Sequence, residues 1–277
     1  VDVETVKTIF ETHWRKGWGS VSVQEAMFIQ EVIAADRPKA FVEIGAASGI
    51  SGGLICRMLA ENGGENFTTY DLSHKFFGDL SKPAGYLIDE IYPGGPITVE
   101  RRFGFTALDI IDHGASYEMA FVDGNHKHPW PLIDTLFLSE VLGGSRKIIH
   151  HDLRLYRLQP RPIGIGPKYL FDQFPEARRR ASTANRGNIF HIDLTMKTAA
   201  LAEIAEAAIH LPWTLSEPLD AEQMERIRAL IERVYGAQLL AAFDKAAERY
   251  NFTAPAYRPA RAAAAPRKRA FGLFRGR

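Results

Sequence analysis

Residues 41–53 read FVEIGAASGISGG, and the reading of that stretch decides the fold. Phe41 and Val42 are apolar and strand-forming, and Glu43 and Ile44 follow them. Small residues then crowd together, from Gly45, Ala46, Ala47 and Ser48 to Gly49, Ser51, Gly52 and Gly53. The apolar helical pattern SGGLICRMLAENGG, ended by glycines, takes over at once. A strand, a small-residue turn and a helix in direct succession make a β-turn-α unit. Such a turn either lets the chain pack tightly on itself or lets backbone N–H groups approach an anionic ligand. The dinucleotide pattern G-x-G-x-x-G is not met, because Ala47 stands where its second glycine should let a pyrophosphate approach. Glu43 suits an amine-bearing or cationic ligand, and Asp71, at the end of the next strand, can accept both hydroxyls of a ribose.

Outward from this unit, strand and helix patterns alternate. Ser22 and Glu25 in SVQEAMFIQEVI form a capping box before an apolar helical face. NFTTYDLS, ITVERRFG, YEMAFVDGN and RKIIHHDL read as further strands, and PLIDTLFLSEVLGG and GPKYLFDQFP as helices. GDLSKPAGYLIDEIYPGGP is expected to hold a helix between loops. RRRASTANRGNIFHIDL reads as two strands joined by a turn over residues 185–188. The expectation is a doubly wound, mostly parallel α/β sheet of seven strands with an antiparallel terminal hairpin, occupying residues 1–197. Such sheets bind ligands beyond the carboxyl ends of their strands, where Gly45, Asp71, Asp123 and Asp152 all fall.

Residues 198–253 read as a helical extension. Asp220 and Gln223 cap AEQMERIRALIERVY, whose apolar face is expected to meet the body of the protein or a second subunit, giving a homodimer. Residues 254–277 hold Ala, Pro and Arg with no acidic residue and read as a disordered basic tail. The chain has 277 residues, 46% hydrophobic and 24% charged, with a net charge of +1, which gives no drive toward nucleic acid or membrane. Its one cysteine, Cys56, excludes an intrachain disulfide and reads as a buried apolar residue. With no signal-like apolar segment at the start, the expected location is the cytoplasm.

Two motifs carry a resemblance. VEIGAASGIS resembles the first motif of class I S-adenosylmethionine-dependent methyltransferases, in the E-x-G-x-x-x-G-x-S form of catechol-type O-methyltransferases. AFVDGNHKHPWPLIDTLFLSEVLGGSRKIIHHDL is similar to the D-G-x-H … L-x-x-G-G-x-I-x-x-H-D signature of small-molecule and sugar O-methyltransferases. The resemblance covers residues 21–194 and implies the Rossmann-like methyltransferase fold, S-adenosylmethionine as cofactor and a small-molecule or sugar hydroxyl as acceptor. It implies that Gly45, Ala46 and Gly49 approach the methionine part, with Ser51 on its carboxylate and Glu43 near its amine. Asp71 would hold the ribose, Phe105 and Thr106 would lie by the adenine, and Asp123 would border the cofactor.

The same resemblance implies that Asp123 and Asp152 coordinate Mg²⁺ or Mn²⁺ and that His126 is the catalytic base. Imidazole, titrating near pH 6.5, suits that task. The metal-dependent members carry Asn or Asp after the second carboxylate, where this chain has Leu153, so a mechanism through His126 alone stays open. Of the neighbouring histidines, His128 and one of His150 and His151 are expected to be solvated. The alternative functions are a non-catalytic cofactor- or nucleotide-binding module, with His126 and Asp152 structural, and a nicotinamide oxidoreductase, disfavoured by Ala47.

Overall fold

The computed structural model describes residues 1–15, 18–157, 164–184 and 187–252. The basic tail and part of the turn expected at residues 185–188 lie outside the described residues. Helices α1 (Val3–His13) and α2 (Val23–Asp36) lead into β1 (Ala40–Ile44), α3 (Ile50–Glu61) and β2 (Asn66–Asp71). The Ser22–Glu25 capping box forms as read: the Ser22 N–H donates to Glu25 Oε2 at 2.6 Å and the Glu25 N–H to Ser22 Oγ at 3.3 Å. A short hairpin, β3 (Lys75–Phe76) and β4 (Asp79–Pro83), precedes α4 (Ile88–Ile91) and β5 (Thr98–Phe103). Residues 78–96 are therefore corrected: the helix is a single turn, and the segment before it is an exposed strand.

The chain continues through β6 (Tyr117–Val122), α5 (Trp130–Val141), β7 (Leu142–His150), α6 (Gly166–Gln173), β8 (Arg179–Ala181) and β9 (Phe190–Asp193). The seven-stranded sheet has the order β5-β2-β1-β6-β7-β9-β8. Its first five strands pair in parallel, and β9 runs antiparallel to both β7 and β8. The expected doubly wound sheet and its terminal hairpin are both present. From β1 the chain moves outward through β2 to β5, then crosses back to lay β6 on the other side of β1. That reversal is the topological switch point, where a crevice opens beyond the strand ends.

Strand residues alternate between two apolar layers, as a pleat requires. Phe41, Met119, Phe121 and Ile149 pack with α1, α2 and α3. Val42, Ile44, Ala120, Val122 and Ile148 face the other way, with α5 and α6. The extension, α7 (Thr198–Ile209), α8 (Ala221–Leu230) and α9 (Ala237–Tyr250), joins this second layer through Leu201, Ile227, Leu230 and Phe243. The apolar face of α8, capped by Asp220 and Gln223 as read, thus meets the body of its own chain. Arg226 fastens it further by donating to the Leu108 carbonyl at 2.9 Å. Among the described residues no helix is long and apolar enough to cross a membrane.

Candidate active site

At the switch point the ends of β1 and β6 touch. The Asp123 N–H donates to the Ile44 carbonyl at 2.8 Å. A Cβ on Gly45 would lie within 2.7 Å of the Asp123 carbonyl carbon, and its φ of +103° belongs to glycine. Gly49 is constrained likewise, with φ +93° and the Gly85 backbone 2.9 Å from where its Cβ would be. These glycines are first required by the chain's own packing, and the flush contact they permit forms the floor of the crevice. Asp71 pins the turn from the side: Oδ2 accepts the Ala46 and Ala47 N–H groups at 3.1 and 3.0 Å, and Oδ1 accepts that of Ser73 at 2.8 Å.

Two cavities, of about 320 and 280 Å³, flank this floor and share Gly45, Ala47, Phe77, Asp123 and Gly124. The first lobe is also lined by Asp71, Phe105, Thr106, Trp130, Asp134 and Gln223. The second is lined by Ala46, Ser48, Ser51, His126, His151 and Asp152. Phe77, on the β3–β4 turn, borders both and is 65% exposed. The sequence-predicted residues therefore divide between two adjoining spaces. Asp71, Phe105 and Thr106 fall on one side, Ala46, Ser51, His126 and Asp152 on the other, and Gly45 and Asp123 between them.

Gly49 and Glu43 line neither lobe. Glu43, expected beside a ligand amine, is fully buried under the turn, where it accepts the Ser51 and Thr69 hydroxyls at 2.6 and 2.7 Å. Burial pushes its carboxyl up to about 8, with Asp123 and Asp71 adding to the effect against the two hydroxyls. Beneath the turn Glu43 supports Ser51, which lines the second lobe in its place.

In the second lobe His126 Nε2 lies 3.2 Å from Asp152 Oδ2 and 3.5 Å from Asp123 Oδ1. Its backbone carbonyl accepts the Gly166 N–H at 3.0 Å, which ties the loop to the start of α6. Behind it, His151 Nδ1 is 3.0 Å from Asp123 Oδ1 and 3.6 Å from Asp152 Oδ1, and its Nε2 is 3.4 Å from Glu25 Oε1. Burial opposes protonation of His151, but Asp123, Asp152 and Glu25 outweigh it and hold the imidazole well above its ordinary range. Glu25 is held at about 2 against its burial by His151 and the Ser22 cap. Asn188 completes the cluster, its Nδ2 donating to Glu25 Oε1 and to Asp152 Oδ1, both at 3.0 Å.

The expectation of solvated histidines is corrected. His128, His150 and His151 are all buried. Burial pushes His128 and His150 down to about 3; His128 packs edge-on against Tyr169, and His150 stacks on Phe190. Asp123, His126 and Asp152 each offer a ligand atom, and all three atoms lie within 4.8 Å of one another. Two carboxylates and an imidazole suit a divalent cation such as Mg²⁺ or Mn²⁺. Leu153 is buried in the apolar layer, and its N–H donates to the Asn188 carbonyl at 2.9 Å. The third candidate ligand is thus His126, and the polar neighbour of Asp152 comes from before β9. Trp130, Asp134 and Gln223 escaped sequence reasoning. The one local signal was an acidic residue set within the apolar run of α5.

No protein-family model matches the chain, and no curated protein matches it in sequence. Among solved structures, the chain is similar to an O-methyltransferase from Bacillus cereus in complex with SAH, at 18% identity and TM-score 0.47 over 69% of this chain and 90% of that one. It is similar to the O-methyltransferase TomG from Streptomyces achromogenes in complex with SAM, at 17% identity and TM-score 0.48 over 70% and 89%. It is also similar to the SAH-bound methyltransferase PaMTH1 from Podospora anserina, at 16% identity and TM-score 0.48 over 69% and 86%.

Proposed function

We propose that the protein is an S-adenosylmethionine-dependent O-methyltransferase that methylates a hydroxyl of a small molecule or sugar in the cytoplasm. The observation that carries this reading is the meeting of two lobes at Gly45 and Asp123. One lobe offers a carboxylate and aromatic walls to a nucleoside; the other offers an imidazole between carboxylates to an acceptor. When bound, the cofactor supplies a methyl carbon made electrophilic by its sulfonium. Asp71 and the walls at Phe105 and Thr106 would hold its nucleoside part, with the donor end at the shared floor.

A neutral hydroxyl is a poor nucleophile, so the chain must take its proton. His126 Nε2 lines the acceptor lobe and would receive it, and Asp152 and Asp123 would stabilise the resulting imidazolium. Asp123, His126 and Asp152 could instead hold Mg²⁺ or Mn²⁺, which lowers a hydroxyl's pKa and orients it. An imidazole nitrogen bound to metal cannot also accept the proton, so the two uses of His126 exclude each other. Calorimetric titration with S-adenosylmethionine, S-adenosylhomocysteine and NAD tests the cofactor: the first two bind and NAD does not. Methyl transfer in EDTA decides whether a metal takes part. Turnover that survives chelation leaves His126 as base without a metal; turnover abolished by EDTA and restored by Mg²⁺ or Mn²⁺ brings in a metal, held by Asp123 and Asp152 with His126 either as base or as third ligand.

A further inference from the structure

The first lobe holds one acidic side chain that the proposed chemistry leaves unused. Asp134 sits on α5 among Leu132, Ile133, Leu136 and Phe137, all buried, and is itself only 5% exposed. It lines the cavity, and among the described residues it makes no hydrogen bond or ion pair. A buried polar group without a partner is costly, and a leucine would pack this position better. Its carboxyl is open to the cavity, and what fills the cavity, water or a ligand, is its partner. We infer that Asp134 recognises the base of the bound nucleoside, an adenine-type ring whose amino-bearing edge faces its carboxyl.

The inference rests on the methyl-donor reading and deepens it. With a ribose at Asp71, the base lies in the same lobe, whose walls include Phe105, Trp130 and Asp134. The amino edge of adenine presents an N–H donor beside a ring-nitrogen acceptor. A carboxylic acid presents the complement, a C=O acceptor beside an O–H donor, whereas a carboxylate offers only acceptors and repels the ring nitrogen. The acid form is the one this environment favours: burial pushes Asp134 up to about 8. A buried acid kept neutral so that it can donate a hydrogen bond is a known catalytic-site device.

The test is calorimetric titration of the full chain with S-adenosylhomocysteine and with its analogue lacking the 6-amino group, for wild type, Asp134→Asn and Asp134→Leu. Wild type should prefer the amino compound by about tenfold, the worth of one good hydrogen bond. Asp134→Asn, an uncharged group with the same donor and acceptor, should keep that preference. Asp134→Leu should bind both compounds alike, and its unliganded form should melt above wild type, which a structural role would not produce. If the leucine variant fails to fold, Asp134→Ala reads the same preference. A leucine or alanine variant that keeps the wild-type preference, or an asparagine variant that loses it, overturns the inference and leaves the methyl-donor reading intact. A folded wild type that binds neither compound overturns both.

Discussion

In the proposed reaction His126 would take the acceptor's proton, and its neighbours decide what its removal does. His126→Ala leaves Asp71, Phe105 and Thr106 untouched in the other lobe, so cofactor affinity should hold while turnover falls on the order of a hundredfold or more. Calorimetry beside a methyl-transfer assay separates the two; a variant that turns over at the wild-type rate in EDTA would remove His126 from the chemistry. Glu43 gives a prediction of opposite kind, on stability. Its folded carboxyl titrates at about 8, above its ordinary value of 4.5, so the folded state keeps a proton that the unfolded chain has released. Its contribution is fully present below about 4.5 and is lost as pH rises through about 8. Glu43→Gln removes that loss. The melting temperature of the variant minus that of wild type should grow as pH rises across this window, and a constant difference would refute the neutral carboxyl.

The turn after β1 shows what an element asks of its residues. Its small side chains are visible in the sequence, but their cause is not local: Gly45 must be glycine because Asp123, distant in sequence, lies against it. Gly45→Val therefore does more than block a ligand. The strain of a branched side chain at φ +103°, about 1–3 kcal/mol, adds to the overlap with Asp123. Melting temperature and S-adenosylhomocysteine affinity should fall together. Asp71 separates the two effects, since one oxygen holds the turn through Ala46 and Ala47 and the carboxylate also faces the first lobe. Asp71→Asn keeps an acceptor for the turn but loses charge and an acceptor for ribose. It should melt near wild type yet bind S-adenosylhomocysteine about tenfold or more weakly, whereas Asp71→Ala should lose on both counts. An asparagine variant with wild-type affinity would take Asp71 out of ribose binding. The β3–β4 hairpin was illegible for a related reason: Asp79–Pro83 is exposed, lacks alternation and contains a proline, so only its pairing with Lys75–Phe76 makes it a strand.

At the scale of the whole molecule, the parallel sheet was legible because strand and helix patterns alternate along the chain, β1 and β6 being largely apolar runs that end at Gly45 and Asp123, and α2 carrying its own capping box. The burial of His128, His150 and His151 was not, because DGNHKH and HHD are polar in sequence and are covered only by elements distant in the chain, Tyr169 of α6 on His128, Phe190 of β9 on His150 and Glu25 of α2 on His151. The extension was legible as helices but not as part of the site. Its Gln223 lines the first lobe, and Leu201, Trp213, Leu215, Ile227, Leu230 and Phe243 belong to the same apolar layer as β1 and β6. Each such side chain contributes about 1.5–3 kcal/mol on burial, so the six together are worth on the order of ten. That matches the entire stability of an ordinary domain, about 5–15 kcal/mol. A chain ended at Lys197 should therefore not fold cooperatively, and ligand should not rescue it, because the lobe that would bind the ligand has lost a wall. Circular dichroism melts with and without S-adenosylhomocysteine read this directly. A sharp transition for residues 1–197, raised by ligand, would show that the sheet and its crevice stand without the helices behind them.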